Sequence, residues 1–181
     1  MKKKYELTEE TIEVNGRILH RIKAVRDFGC VKAGDLGGFI QKEENLSIEG
    51  NSWVYGDAKV YGDTRVFGDA KVYGDTKVFD NAEVCGDTRV YGDARVYGDA
   101  RVCGDAEIKN NTDYIVFKNF WSSGRFFTWT RSNNMWKVGC FYGTGEELIK
   151  KAYEDSKKSG REYERVVRYV ESILADERKE E

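Results

Sequence analysis

The chain of 181 residues contains no proline, so every turn must be made by glycine, asparagine, aspartate or serine. It has one histidine, His20, which leaves little scope for a histidine metal site or a histidine-centred proton relay. Its four cysteines, Cys30, Cys85, Cys103 and Cys140, show neither CxxC nor any other zinc spacing. The opening MKKKYELTEE lacks the apolar core of a signal peptide, and no apolar run approaches the roughly 20 residues that span a bilayer. A reduced, cytoplasmic protein without membrane segments is the expectation. Thirty basic and thirty-two acidic residues leave almost no net charge, so any electrostatic site must be local.

What is abundant is one hexapeptide. Residues 54 to 108 read VYGDAKVYGDTRVFGDAKVYGDTKVFDNAEVCGDTRVYGDARVYGDARVCGDAEI. An aliphatic residue recurs at every sixth position from Val54 to Ile108, with Ile48 fitting one unit upstream. Four positions after each stands Ala or Thr, from Ala58 to Thr112. A branched and a small side chain on the same side of the chain, separated by a Gly-Asp bend, suit a narrow coil interior.

This pattern resembles the hexapeptide-repeat, left-handed parallel β-helix family, in which three hexapeptides form a triangular coil of eighteen residues. The resemblance implies about four coils, with residues eighteen apart stacked at about 4.8 Å. It also implies homo-oligomers, most often trimers. Three outward columns follow: Tyr55, Tyr73 and Tyr91; Tyr61, Phe79 and Tyr97; Phe67, Cys85 and Cys103. Exposed ring ladders bring a monomer little stability, so the first two columns are candidates for the oligomer interface. Cys85 above Cys103 is read as an ordinary pair of wall residues. The aspartate columns, including Asp63, Asn81 and Asp99, suit bends; with lysines and arginines two residues on, they read as mixed-charge ladders, and no metal or other cofactor is expected.

Known enzymes of the resembled family use histidines, and the repeat has none and no inserted loop, so no catalytic residue is assigned. His20 reads as a strand residue. The family's fold carries over; its chemistry does not.

Before the repeat, YELTEETIEV and RILHRIKAV flank Asn15-Gly16, a hairpin signal. RDFGCVKAGDLGGFIQKEENLSIEGNSWV then reads as an irregular first coil covering an open end. GDLGG lacks the endings of a phosphate loop or dinucleotide fold. GDLGGFI and NLS resemble the start of uncharacterised phage and prophage proteins.

After Thr112 the period ends. From Tyr114 to Gly145 there is no acidic residue, while basic residues interleave with aromatics. YIVFKNFW, RFFTWTR and MWKVGCFY predict a three-stranded antiparallel sheet. Thr144 and Glu147 fit a capping box opening a helix, Gly160 marks an interruption, and a second helix follows before ADERKEE frays. The chain thus divides at 1–45, 46–112 and 113–181: hairpin and cap, β-helix, and α+β domain.

If the helices cover one sheet face, the other should carry some of Trp121, Arg125, Trp129, Arg131 and Lys137, with Trp136 nearby. Such residues stack on bases and pair phosphates, and equally serve protein interfaces or a core. The amides at Thr144 and Gly145 could receive a phosphate, though the capping box already accounts for them. The expected function is a non-catalytic, oligomeric binding protein. Its β-helix stalk displays the C-terminal domain to a host protein, nucleotide or nucleic acid, such as a phage inhibitor's target in host defence, a nuclease or a nucleotide signal. The alternatives are a divergent acyltransferase-like or sugar-nucleotide enzyme and an end-to-end structural polymer.

Overall fold

The structure, a computed structural model, describes residues 3–180. The repeat forms a parallel β-solenoid of about four coils, with three short strands to a coil. The first face stacks β3 (Leu36–Ile40), β5 (Lys59–Val60), β8 (Lys77–Val78) and β11 (Arg95–Val96). The second stacks β6 (Arg65–Val66), β9 (Glu83–Val84) and β12 (Arg101–Val102). The third stacks β4 (Trp53–Val54), β7 (Lys71–Val72), β10 (Arg89–Val90) and β13 (Glu107–Ile108). Valine stacks on valine in register, as in Val60, Val78 and Val96, and these side chains are sealed from solvent together with the alanines and threonines of the repeat. Each valine so buried contributes about 1.5–3 kcal/mol, repeated coil after coil. Glycine makes the bend because the corner requires a left-handed backbone: Gly56, Gly62, Gly68 and Gly74 have φ of 57°, 80°, 74° and 78°.

Coils are joined by the slanted N–H to carbonyl bonds of a parallel ladder, as Lys59 N donates to Thr76 O at 2.9 Å. The outer edges of the first and last coils are left with unpaired backbone groups, and the flanking segments supply partners for them. At the first coil, the fully buried Lys4 donates through Nζ to the carbonyls of Glu49, Gly50 and Ser52 at 3.3, 3.3 and 2.8 Å. The Tyr5 hydroxyl donates to those of Glu43 and Leu46 at 3.0 and 2.8 Å. At the other end, Asn111 Oδ1, Thr128 Oγ1 and Ser132 Oγ accept from the N–H groups of Arg95, Arg101 and Glu107, at 2.9, 2.9 and 2.7 Å.

The hairpin forms as expected. β1 (Tyr5–Val14) and β2 (Arg17–Ala24) turn through Asn15 and Gly16, both at positive φ, and β2 continues antiparallel onto β3. The register upstream of Val54 differs from expectation. Leu46, not Ile48, bridges Val66, while Val54 aligns with Val72, so two extra residues lie between Leu46 and Val54 and Ile48 is displaced from the interior. The displacement makes room for Trp53, which meets Phe28 and Tyr5 edge-on and plugs the coil. Gly37 and Gly38 serve the same plug: a β-carbon on either would strike Val54 and its neighbours. Thr112, read as a coil-interior residue, is exposed in the turn after Ile108, and Tyr114 closes that end instead, its hydroxyl donating to Arg95 O at 3.0 Å.

Cys85 and Cys103, read as free thiols, are disulfide-bonded, because stacking in adjacent coils brings their Cα atoms to 4.6 Å. The C-terminal sheet has four strands rather than three: β14 (Tyr114–Lys118), β15 (Phe126–Thr130), β16 (Met135–Val138) and β17 (Phe141–Gly143). Gly139, at φ 54°, and Cys140 turn the chain within MWKVGCFY and divide it. α1 (Gly145–Asp155) starts at the expected capping box, with Glu147 N donating to Thr144 Oγ1 and Thr144 N to Glu147 Oε2. The helical break falls at Ser156, not Gly160. Ser156 Oγ accepts from Ser159 N and starts α2 (Lys157–Glu180), which holds Gly160 under the Tyr153 ring and continues through the charged end expected to fray. Among the described residues no helix is long and apolar enough to cross a membrane.

Candidate binding surfaces

The aromatic columns stack as the eighteen-residue spacing requires. Tyr73 and Tyr91 lie 5.3 Å apart and parallel, as do Tyr61 with Phe79 and Phe79 with Tyr97, while Tyr55 meets Tyr73 edge-on at 6.5 Å. The two columns differ in access. Tyr61 is 4 % exposed, because the hairpin lays Leu19, Ile12 and Val14 over it with Phe39. The chain itself thus covers the start of that ladder, and only Tyr97 of the three stands well clear. Tyr73 and Tyr91 remain half-exposed along an open corner.

The acid-free aromatic stretch is arranged differently from the expectation. Both faces of the C-terminal sheet are covered, one by the helices and the other by the last coil. Trp129 and Trp136, cross-strand partners, are 1 % and 2 % exposed in a core with Phe127, Val138, Leu148 and Val167. The opposite face presents the buried Thr128 to the solenoid, with Lys137 beside it. Asn133 donates to Asp105 Oδ1 at 2.8 Å and Tyr142 comes so close that a β-carbon on Gly104 would run into its ring. Docking two layers together required an aromatic core, and sequence alternation alone could not say that both faces had partners. Arg131 forms a two-pronged ion pair with Glu177 of α2, at 2.7 and 3.0 Å. Thr144 is occupied by its capping box.

Trp121 and Arg125 remain near the surface, on a loop whose most exposed member is Phe120. Phe120 is 84 % exposed. The loop is held from beneath by Asn119, itself buried, whose Nδ2 donates to Ser122, Ser123 and Tyr163 hydroxyls at 3.0, 3.2 and 3.2 Å and whose Oδ1 accepts from Ser122 N. Trp121 braces it edge-on against Phe127 and Tyr163. Lys118 and Arg125 flank the ring in sequence. The sequence shows the aromatics here but not which are exposed, since that depends on Asn119 reaching Tyr163.

A cleft of about 460 Å³ lies where the solenoid's second face meets the C-terminal sheet. Asp63, Asn81, Glu83, Asp99 and Arg101 line one side, Arg125, Phe126 and Gly139 the other. Lys42 pairs with Asp63 at 2.8 Å, Arg101 with Glu83 at 3.5 Å, and Asn81 donates to Asp99 at 3.3 Å. Arg125's guanidinium has no partner among the described residues.

His20 lies half-buried in the hairpin, Nδ1 3.2 Å from the Thr8 carbonyl. Among the described residues no cluster of three or more His, Cys, Asp or Glu side chains could hold a metal ion. The fold thus defines the chain as a parallel β-solenoid protein with an N-terminal hairpin and a C-terminal sheet-and-helix layer. Comparison with known proteins found no matching family model and no match among curated proteins.

Proposed function

We propose that this is a non-catalytic binding protein in which the solenoid is a rigid stalk and the Phe120 loop is the contact for a protein partner. The observation that carries the reading is Phe120: a large ring 84 % exposed on a loop whose backbone is fixed by the buried Asn119. Exposing such a ring costs the isolated protein solubility, and holding it still lowers the entropy lost on binding. With Lys118 beside it and no acidic residue from Tyr114 to Gly145, the loop suits an apolar pocket bordered by carboxylates.

The reading includes a left-handed coil of the hexapeptide type and self-association, a trimer being favoured, through the open Tyr55, Tyr73 and Tyr91 column. Several loops on one assembly would add avidity. The covered coil ends weigh against open-ended growth. The resemblance to phage and prophage proteins extends the proposal to interference with a host defence component. Its test is partner capture from the source organism's lysate with wild type, Phe120→Ala and Lys118→Glu, followed by affinity measurement on the purified pair. Phe120→Ala should weaken the complex tenfold or more at unchanged stability. A partner held equally well by both variants would overturn the loop assignment.

A further inference from the structure

Eight of the nine hexapeptides from Val54 to Glu107 carry Gly-Asp at the bend; one does not. In Phe79-Asp80-Asn81-Ala82-Glu83-Val84, Asp80 replaces glycine, Asn81 replaces aspartate, and Glu83 stands where the units on either side place Lys77 and Arg89. Asp80 nevertheless keeps the left-handed backbone of the other corners, φ 62°, a conformation disfavoured for a residue with a β-carbon. Asp80 Oδ2 accepts from Gly98 N of the next coil at 3.2 Å, but the stacking of coils does not call for Asn81 or Glu83. The solenoid's other two corner columns stack three aspartates apiece, Asp57 with Asp75 and Asp93, and Asp69 with Asp87 and Asp105, without an intervening amide.

The exceptional unit lines the junction cleft. Had the repeat continued unbroken, the wall would present three stacked carboxylates beside three stacked cations. Asn81 instead sets an amide between Asp63 and Asp99, and Glu83 sets a carboxylate beneath Arg101. The result is a wall of alternating donors and acceptors with two of its three carboxylates ion-paired, Asp63 by Lys42 and Glu83 by Arg101, and Asp99 held by the Asn81 amide. Across the cleft stand the half-buried ring of Phe126 and Arg125, whose guanidinium has no partner among the described residues.

We propose that this cleft binds a neutral saccharide. Each sugar hydroxyl both donates and accepts, which suits planar carboxylate, amide and guanidinium groups set side by side, and the apolar face of a pyranose suits the Phe126 ring. An anionic ligand would face three carboxylates, and an apolar one would leave every polar group of the wall without a partner. The volume falls within the roughly 300–1,000 Å³ of small-molecule sites. Phe120 itself does not line this cleft.

The test is NMR titration of the full chain with maltotriose, cellotriose and chitotriose, with ATP as the charged comparator. At least one trisaccharide should shift resonances on both walls of the cleft. Asn81→Ala and Arg125→Ala should each weaken that binding tenfold or more. The triple variant Asp80→Gly, Asn81→Asp, Glu83→Lys restores the unit used elsewhere in the solenoid; it should melt no lower than wild type yet lose the sugar. Phe120→Ala should bind it unchanged. The proposal fails if none of the three trisaccharides binds, if ATP alone does, or if the restored repeat binds as well as wild type.

Discussion

A tyrosine stands at each end of the coil stack, and each is there for its hydroxyl as much as its ring. Tyr5 and Tyr114 donate to carbonyls that have no strand neighbour, so Tyr5→Phe and Tyr114→Phe should each cost about 1–3 kcal/mol, read from urea midpoints. Burial raises both phenol pKa values, that of Tyr114 to about 12. Their contribution is complete below the unfolded value near pH 10 and is lost as pH rises through the folded one. Lys4 acts in the opposite sense. Desolvation, then Arg26, lowers its pKa from 10.5 to about 8, so the buried ammonium weakens the fold below pH 8 and stability recovers as pH climbs from about 8 toward 10.5. The urea midpoint should therefore rise between pH 8 and 10 and fall beyond. Lys4→Met should abolish the rise and, by orphaning three carbonyls, lower the midpoint throughout.

The elements show how a strict repeat ends. An inner coil needs only its copy above and below, whereas the last coil takes acceptors from three separate places, Asn111, Thr128 and Ser132. Thr128→Val keeps the shape but leaves the Arg101 N–H buried and unpaired, and should lower stability by about 1–3 kcal/mol in thermal or urea melts. Thr144→Ala removes the cap of α1 and should cost about 1 kcal/mol. That cap was legible in the sequence because both partners lie within one turn. The division of MWKVGCFY into β16 and β17 was not, since Gly139 turns there to bring Phe141 back against Val138. Nor was the break at Ser156, where a cap three residues before Ser159 decides the helix start and Gly160 merely admits the Tyr153 ring.

At the scale of the whole molecule, the disulfide between Cys85 and Cys103 joins the third coil to the fourth, beneath the C-terminal layer. Closing a loop of this length contributes roughly 3 kcal/mol, so a reductant or Cys103→Ser should lower the urea midpoint correspondingly. Self-association through the open tyrosine column predicts a defined oligomer by light scattering, which Tyr73→Arg should dissociate without unfolding the coil. By itself the sequence determined the solenoid, its three faces and its ladders, because stacking repeats one local rule and each residue's neighbour is always eighteen positions away. It also marked, in FDNAEV, the one unit that departs from the rule. Tertiary structure alone decided which ladder the hairpin covers, that Trp129 and Trp136 are core, and that Phe120 stands exposed and the FDNAEV unit lines a cleft. Those outcomes depend on contacts between segments with no shared period, and burial there is set by which layer docks on which face.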